Sequence, residues 1–443
     1  MKKILLSITK LKKIILLLLF LIVFPIASEG REFDLNGQLI NLFLLRNDSD
    51  FDRSEPIYLP SGQSVGLLGT YFRPEFTMRL QDLRIYYEFE LGLNLWSRSR
   101  IEIEPEETRN FFVLIQRQIY ADGALGNSRF RAGYQQIKDP TGLFINHWIG
   151  AFKLYSENID FVLGQMPDQT YEGWFIDRNN FRNDIFVLIL STRQKLSDNW
   201  TINAGISNLY DNNVIGKPKL LSAPVFDIEH RDGIKYGLGL ALQGGFTEKG
   251  AFDKGKEYSL ASGAQIYILD DASRLGWGLN LLVLSPDNSA DKDGINYGFL
   301  YSGKSKSRTI LFTEDEIRDK GDNLDERIGE RVGGFSYNGN FFLMRSGFAL
   351  LDGSILYRIT DKLGSSLTVG VASALQEKNT LNSIFLGTET TLLIRYKISD
   401  LIVFDLANSV LIPGAGLSAY INNIDREATD PMYSLESALN VVF

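Results

Sequence analysis

The chain reads as an all-β protein, a transmembrane antiparallel β-barrel of about eighteen strands, with sixteen as the alternative. Short periplasmic turns and long extracellular loops would join the strands. Three observations predict this. Long extended segments alternate apolar and polar residues along the chain. The N-terminus has the make-up of an export leader. The C-terminus ends on an aromatic residue in phase with its own alternation.

The clearest segment is LRIYYEFELGLNLW, Leu83 to Trp96. Leu83, Ile85, Tyr87, Phe89, Leu91, Leu93 and Leu95 occupy one set of alternate positions. Arg84, Tyr86, Glu88, Glu90, Gly92, Asn94 and Trp96 occupy the other. Successive side chains of a strand point to opposite faces, so one face is greasy and the other mostly polar. At about 3.3 Å per residue the segment is roughly 45 Å long, enough to cross a tilted bilayer. A strand of a large soluble sheet packed on a core would alternate in the same way. The recurrence of the pattern and both termini favour the membrane.

Composition bounds the alternatives. The 443 residues are 44% hydrophobic, and after the N-terminal stretch no run of 18 apolar residues occurs. A barrel hides its membrane signal because only alternate residues meet lipid. With no cysteine there is no disulfide framework and no thiolate metal site. The formal charge is −8, and residues 1–30 hold five lysines and one glutamate, which leaves −12 on the remainder. That acidity argues against nucleic acid as a partner but does not set the sign of a pore interior.

Lys2, Lys3, Lys10, Lys12 and Lys13 precede the apolar run IILLLLFLIVFPIA, with small residues Ala27, Ser28 and Gly30 after it. This resembles a signal peptide. Fourteen residues of helix span about 21 Å, short of a hydrocarbon core, so an anchor helix is disfavoured. Residues 1–30 are expected to be a cleaved signal peptide and residues 31–443 the barrel.

Along that barrel the alternation returns. Phe33, Leu35, Leu39, Phe43 and Leu45 share a face, as do Phe72, Phe76, Met78 and Leu80. Trp200, Ile202, Ala204 and Ile206 stand against Thr201, Asn203, Gly205 and Ser207. Ile234, Tyr236, Leu238, Leu240 and Leu242 stand against Lys235, Gly237, Gly239, Ala241 and Gln243. Segments 273–284, 364–375, 386–398 and 400–412 behave alike. Short turns are expected at Gln81-Asp82, Ser197-Asp198, Thr360–Lys362 and Ser399-Asp400. Long loops are expected at 46–63, 97–109, 167–183, 210–231, 305–344 and 413–431. Residues 246–255 read as a long turn on the short-turn rim, and the charge run TEDEIRDKGDNLDERIGER within 305–344 as a solvated surface loop.

Closure follows from chemistry. An unpaired backbone group in hydrocarbon costs several kcal/mol, so an open edge is not tolerated there. About eighteen strands enclose a lumen too wide for wall side chains to fill. The chain ends MYSLESALNVVF, and counting back by twos from Phe443 gives Val441, Leu439, Ser437, Leu435 and Tyr433. Such a strand is similar to the address read by the barrel assembly machinery. That machinery and outer-membrane lipid are the expected partners, and the bacterial outer membrane the expected location.

Two patches resemble the alginate-export family of outer-membrane barrels. RFRAGYQQI, residues 129–137, is similar to that family's Arg-x-Arg-x-Gly-aromatic-Gln strand. GTETTLLIRYKISDLIVFDLANSVLIPGAG, residues 387–416, is similar to its Gly-x-Glu strand, mid-strand Tyr, tight turn and Pro-Gly; here these are Gly387, Glu389, Tyr396, Ser399-Asp400 and Pro413-Gly414. The resemblance implies an outer-membrane channel of the alginate-export or porin type, passing a hydrophilic anionic solute or polysaccharide. Glu75, Glu88, Glu90 and Glu389 among the arginines depart from a strongly basic pore.

On the polar face lie the expected pore-lining residues Arg73, Arg79, Arg84, Glu88, Glu90, Arg129, Arg131, Gln135, Lys235, Glu389, Arg395 and Lys397. Lys and Arg rings favour anions, and the Arg fork binds two carboxylate oxygens at once. The plainer alternative pairs these arginines with Glu75, Glu88 and Glu90 across strands. Tyr171, Trp174 and Phe175 in segment 167–184 could form an infolded constriction loop that stacks on sugar rings, or a small surface cluster. An enzyme is not expected: His147 and the loop residue His230 have no nucleophile motif beside them. No metal or cofactor site is read. The rival reading is a structural or adhesive barrel that acts through its surface loops.

Overall fold

The computed structural model describes residues 31–47, 65–93, 112–166, 185–211, 219–248, 256–286, 295–299, 306–309, 312, 347–377, 383–417 and 430–443. The expected signal peptide lies outside them. The strands are β1 Arg31–Asn47, β2 Val65–Leu80, β3 Leu83–Leu93, β4 Phe112–Leu125, β5 Ser128–Lys138, β6 Asn146–Tyr155, β7 Ile159–Met166, β8 Ile185–Lys195 and β9 Trp200–Asp211. They continue as β10 Lys219–Asp232, β11 Ile234–Glu248, β12 Lys256–Asp270, β13 Leu275–Leu284, β14 Ile295–Asn296, β15 Phe348–Arg358, β16 Leu363–Ser373, β17 Phe385–Lys397, β18 Ile402–Pro413 and β19 Met432–Val442. Apart from the two-residue β14, each strand pairs antiparallel with its sequence neighbour, and β19 pairs with β1. The result is a closed barrel of eighteen wall strands.

Closure is completed at the last residue. Gly37 N–H donates to Phe443 O and Phe443 N–H donates to Gly37 O, both at 3.1 Å. The Phe443 ring stacks on Phe72 outside the wall, with centroids 5.7 Å apart. Gly37 makes room for it: a Cβ there would lie 2.7 Å from that ring.

The outward face is apolar. Leu35, Leu163, Leu190, Leu242, Leu260, Leu279, Ile355, Leu367 and Ile412 are all exposed on it. Near the short turns it carries aromatics: Trp200 meets the edge of Tyr236 at 5.3 Å, and His230 stacks on Tyr236 at 4.5 Å. His230 therefore belongs to an interfacial aromatic cluster on β10.

That placement corrects the sequence reading of 210–231 as a loop. Lys219–Asp232 is strand, with Leu220, Phe226 and Ile228 outward and Asp227, Glu229 and Arg231 inward. Pro224 sits where the β10–β11 ladder skips two pairs, as Pro74 does between β2 and β3. Proline has no N–H to donate, so it is tolerated there. With β10 in place, the connection after β11 falls on the long-loop rim, not the short-turn rim.

One sector of the wall is apolar on both faces. In β8, Phe186, Leu188 and Leu190 point out while Ile185, Val187 and Ile189 are buried inside. Ile149, Val162, Leu209, Leu221 and Val225 continue this inner surface.

Replacing Phe443 with Ala should remove the seam stack and lower stability in detergent by about 1 kcal/mol. Urea unfolding followed by heat-modifiable gel mobility should show the earlier midpoint.

Candidate functional site: an arginine row and two infolded segments

Pairing register aligns one row of interior side chains near the short-turn rim. It runs Glu32, Arg79, Arg84, Asp122, Arg131 and Lys153 across β1 to β6. At its centre the Asp122 side chain is fully buried. It accepts hydrogen bonds from Arg129, from Arg131 Nε at 3.1 Å and Nη2 at 3.0 Å, and from Tyr155 Oη at 2.8 Å. Arg84 stands 3.8 Å away on the other side. Three guanidiniums around one carboxylate leave an excess of two positive charges in this foursome. Arg131 also lies over the Tyr120 ring at 4.2 Å, and Tyr120 stacks on Tyr86 at 5.0 Å. The arginines are thus held in place while Arg84 and Arg129 stay open to the interior.

Higher on the wall the charges are more nearly balanced. Arg73 pairs with Glu90, and Arg117 reaches Glu88 and Glu90, both at 3.3 Å. Gln118 donates to Glu88 at 2.9 Å. In the lower row itself, Arg79 pairs with Glu32 at 3.0 Å and Asp34 at 3.3 Å. Around the barrel Lys235 pairs with Asp271 at 2.7 Å, Arg395 with Asp405 at 2.7 Å and Lys397 with Asp400 at 2.8 Å. Cross-strand pairing with the glutamates accounts for Arg73 alone among the five arginines of β2, β3 and β5. The others use Asp122, Glu32 and Asp34, which the sequence reading did not single out.

Two segments fold into the barrel. The first is the β5–β6 connection. Asp139 is its hub, nearly fully buried. Its Oδ1 accepts from Thr141 N at 2.8 Å, Thr141 Oγ1 at 2.7 Å and Gly142 N at 2.7 Å. Its Oδ2 accepts from Phe144 N at 3.1 Å and Ile145 N at 2.5 Å. Gly142 has φ +70°, a conformation that costs glycine little. So braced, the loop buries Leu143, Phe144 and Ile145 with the apolar inner wall and reaches Gly239 on β11, where a Cβ would lie 3.6 Å from Thr141. Gln135 beside it is buried and donates to Ala151 O at 3.1 Å.

The second segment lies between β13 and β15. β14 pairs parallel with Tyr258 and Ser259 of β12. Phe299 covers Gly263, and Lys306 lies over the Tyr267 ring at 5.3 Å. Thr309 packs against Gly370 and is fully buried. Wall carboxylates then catch its backbone: Asp352 accepts from Arg308 N at 3.4 Å, and Glu389 accepts from Phe312 N at 2.8 Å. The expected surface loop at 305–344 is therefore corrected at residues 306–309 and 312, which line the interior. Apolar contacts and the reach of its amides to wall carboxylates hold these residues inside, while the charge run TEDEIRDKGDNLDERIGER lies outside the described residues. Glu389 accordingly lies beneath Phe312 and does not face open space. Tyr171, Trp174 and Phe175 lie outside the described residues.

The two segments bring Lys138 and Lys306 into electrostatic range of Asp227 and Glu229 on β10. Tyr267 Oη donates to Glu229 at 2.6 Å, and Asn203 donates to Asp227 at 3.1 Å. One interior wall is thus arginine-rich, another mixed and acidic. Such an arrangement can orient a charged solute. Among the described residues no cluster of His, Asp and Glu is arranged to hold a metal.

No family model and no curated protein matches the chain. Solved structures do. Pseudomonas aeruginosa OccK9 (OpdG) aligns with TM-score 0.57 and 11% identity, covering 93% of this chain and 99% of that one. P. aeruginosa OccK8 (OprE) gives 0.55 and 11%, covering 93% and 98%. Acinetobacter baumannii OccAB2 gives 0.55 and 8%, covering 93% and 98%. The chain has the fold of an outer-membrane barrel. At such identities the likeness carries no residue roles.

Asp139→Ala should free the β5–β6 segment: single-channel conductance should rise, and stability should fall by roughly 3 kcal/mol as five bonds to a carboxylate are lost. Asp122→Asn should strengthen anion preference in reversal-potential measurements, because it removes the negative charge at the centre of the cluster.

Proposed function

We propose that this protein is a bacterial outer-membrane channel for small hydrophilic anions, carboxylates above all, and that it acts by passive passage with no bond made or broken. The arginine cluster around Asp122 is the observation that carries this reading. Its guanidinium forks suit two-oxygen anions. Its excess charge lies in a low-dielectric wall, where ions are attracted more strongly than in open water. A structural neighbour was solved with vanillate, a carboxylate, bound. Lipid on the apolar exterior and the barrel assembly machinery at the terminal strand are the partners of this proposal.

The resemblance to alginate exporters raises a polysaccharide as cargo. Two segments occupying the interior favour a small solute, since a polymer needs an unobstructed passage. An adhesive barrel acting through its loops would need no such arginine cluster.

Planar-bilayer recording in a salt gradient tests the reading. The channel should prefer anions, and Arg129→Ala with Arg131→Ala should cut that preference about fivefold, the equivalent of roughly 1 kcal/mol of lost attraction. Cation preference in the unaltered protein would refute it, and the absence of conductance would favour the adhesive barrel.

A further inference from the structure

The closure seam carries polar side chains on the wrong face of the wall. Asn408 on β18 points outward between Leu406 and Val410 of its own strand. Its register partners are Leu392 on β17 and Leu435 on β19. It is exposed, and among the described residues its side-chain amide has no hydrogen-bond partner. Hydrocarbon offers an amide nothing to bond, and polar groups at that depth are expensive.

Asn408 is one of a series. Thr390 on β17 pairs in register with Val410, one outward position above Asn408. Leu435 faces Asn408, and the next outward residue down β19 is Ser437. Ser437 pairs with Phe43, and the next outward residue down β1 is Asn41. Asn41 Oδ1 accepts from Thr70 Oγ1 at 2.8 Å. The line steps down one outward position per strand from β17 to β1. Barrel strands tilt by roughly 35–45°, so rungs of the sheet climb around the wall. A diagonal that steps down as the rungs climb runs close to the membrane plane. Other outward polar groups occur at Ser262 on β12 and at Asn208 on β9 and Ser222 on β10, which bond to each other at 2.6 Å. At the seam four such groups fall in one nearly level stripe that includes the unpartnered Asn408.

Level placement matters for the choice of occupant. A two-fold axis along the membrane normal preserves depth. It brings each group of the stripe against the same level of a second copy. An isologous contact of this kind needs self-complementary groups. An asparagine amide both donates and accepts, and hydroxyls do the same. Interhelical polar contacts in membranes work on the same logic.

We propose that the β17–β1 seam is the contact face of a homodimer, with Asn408, Thr390 and Ser437 hydrogen-bonded across it. The proposal does not depend on what the channel carries.

The chain has no cysteine, so single thiols report cleanly. In liposomes of outer-membrane lipid, Asn408→Cys and Ser437→Cys should form disulfide-linked dimers when oxidised with copper phenanthroline. Ser437→Cys keeps Asn408 and guards against loss of the contact itself. Leu279→Cys, outward on the distant β13, should stay monomeric. Sedimentation of the unaltered protein in density-matched detergent should give a dimer, and Asn408→Leu should raise its dissociation constant at least tenfold. A monomer with no crosslink at either seam position overturns the proposal. So does Leu279→Cys crosslinking as readily, or a monomer whose Asn408→Cys thiol is shielded by bound lipopolysaccharide.

Discussion

An amide group facing acyl chains has nothing to bond with, so every wall strand must find two neighbours. All other features rest on that constraint. It forces β19 onto β1, and the chain meets it down to Phe443, whose own amide and carbonyl bond to Gly37. It also fixes register, and register decides what the interior presents. Because Arg84, Asp122 and Arg131 stand opposite one another in successive strands, a cluster forms that no single strand encodes.

The interior is not simply the polar side of an amphipathic wall. Strands β6 to β10 are largely apolar on the inside over their upper halves, and infolded residues Leu143, Phe144 and Ile145 share that inner core. This gives the barrel a partial core of its own. Buried carboxylates complete the anchoring. Asp139 organises one segment from within, while Asp352 and Glu389 catch backbone amides of the other. Each is an acidic residue spent on structure, which is why an acidic chain can still present an arginine-rich wall.

Much of this was legible in the sequence. The turns at Gln81-Asp82, Ser197-Asp198, Thr360–Lys362 and Ser399-Asp400 fall between observed strands, and the inward and outward sets of β3, β9 and β11 are as the alternation indicates. β10 was missed because Pro224 and four charged residues after it read as loop, although its alternation is intact once Asp227, Glu229 and Arg231 are placed inside. The uninterrupted apolar run of β8 signalled burial on both faces and could have announced an inner core. Asp122 could have been found by pairing outward from the Gly126-Asn127 turn, which sets it opposite Arg131. Infolded residues 306–309 and 312 had no such signal, because the bonds that tie them to Asp352 and Glu389 are made by backbone amides and depend on tertiary approach.

The central claim is that the greasy faces meet lipid while the arginine side is wet. Spin labels on single cysteines placed in turn along Trp200–Leu209 of β9, in liposomes, test it most directly. Labels at Ile202, Ala204 and Ile206 should be relaxed by oxygen, and those at Thr201 and Asn203 by a water-soluble nickel chelate. The opposite alternation, or no alternation, would contradict the membrane placement and the passage together.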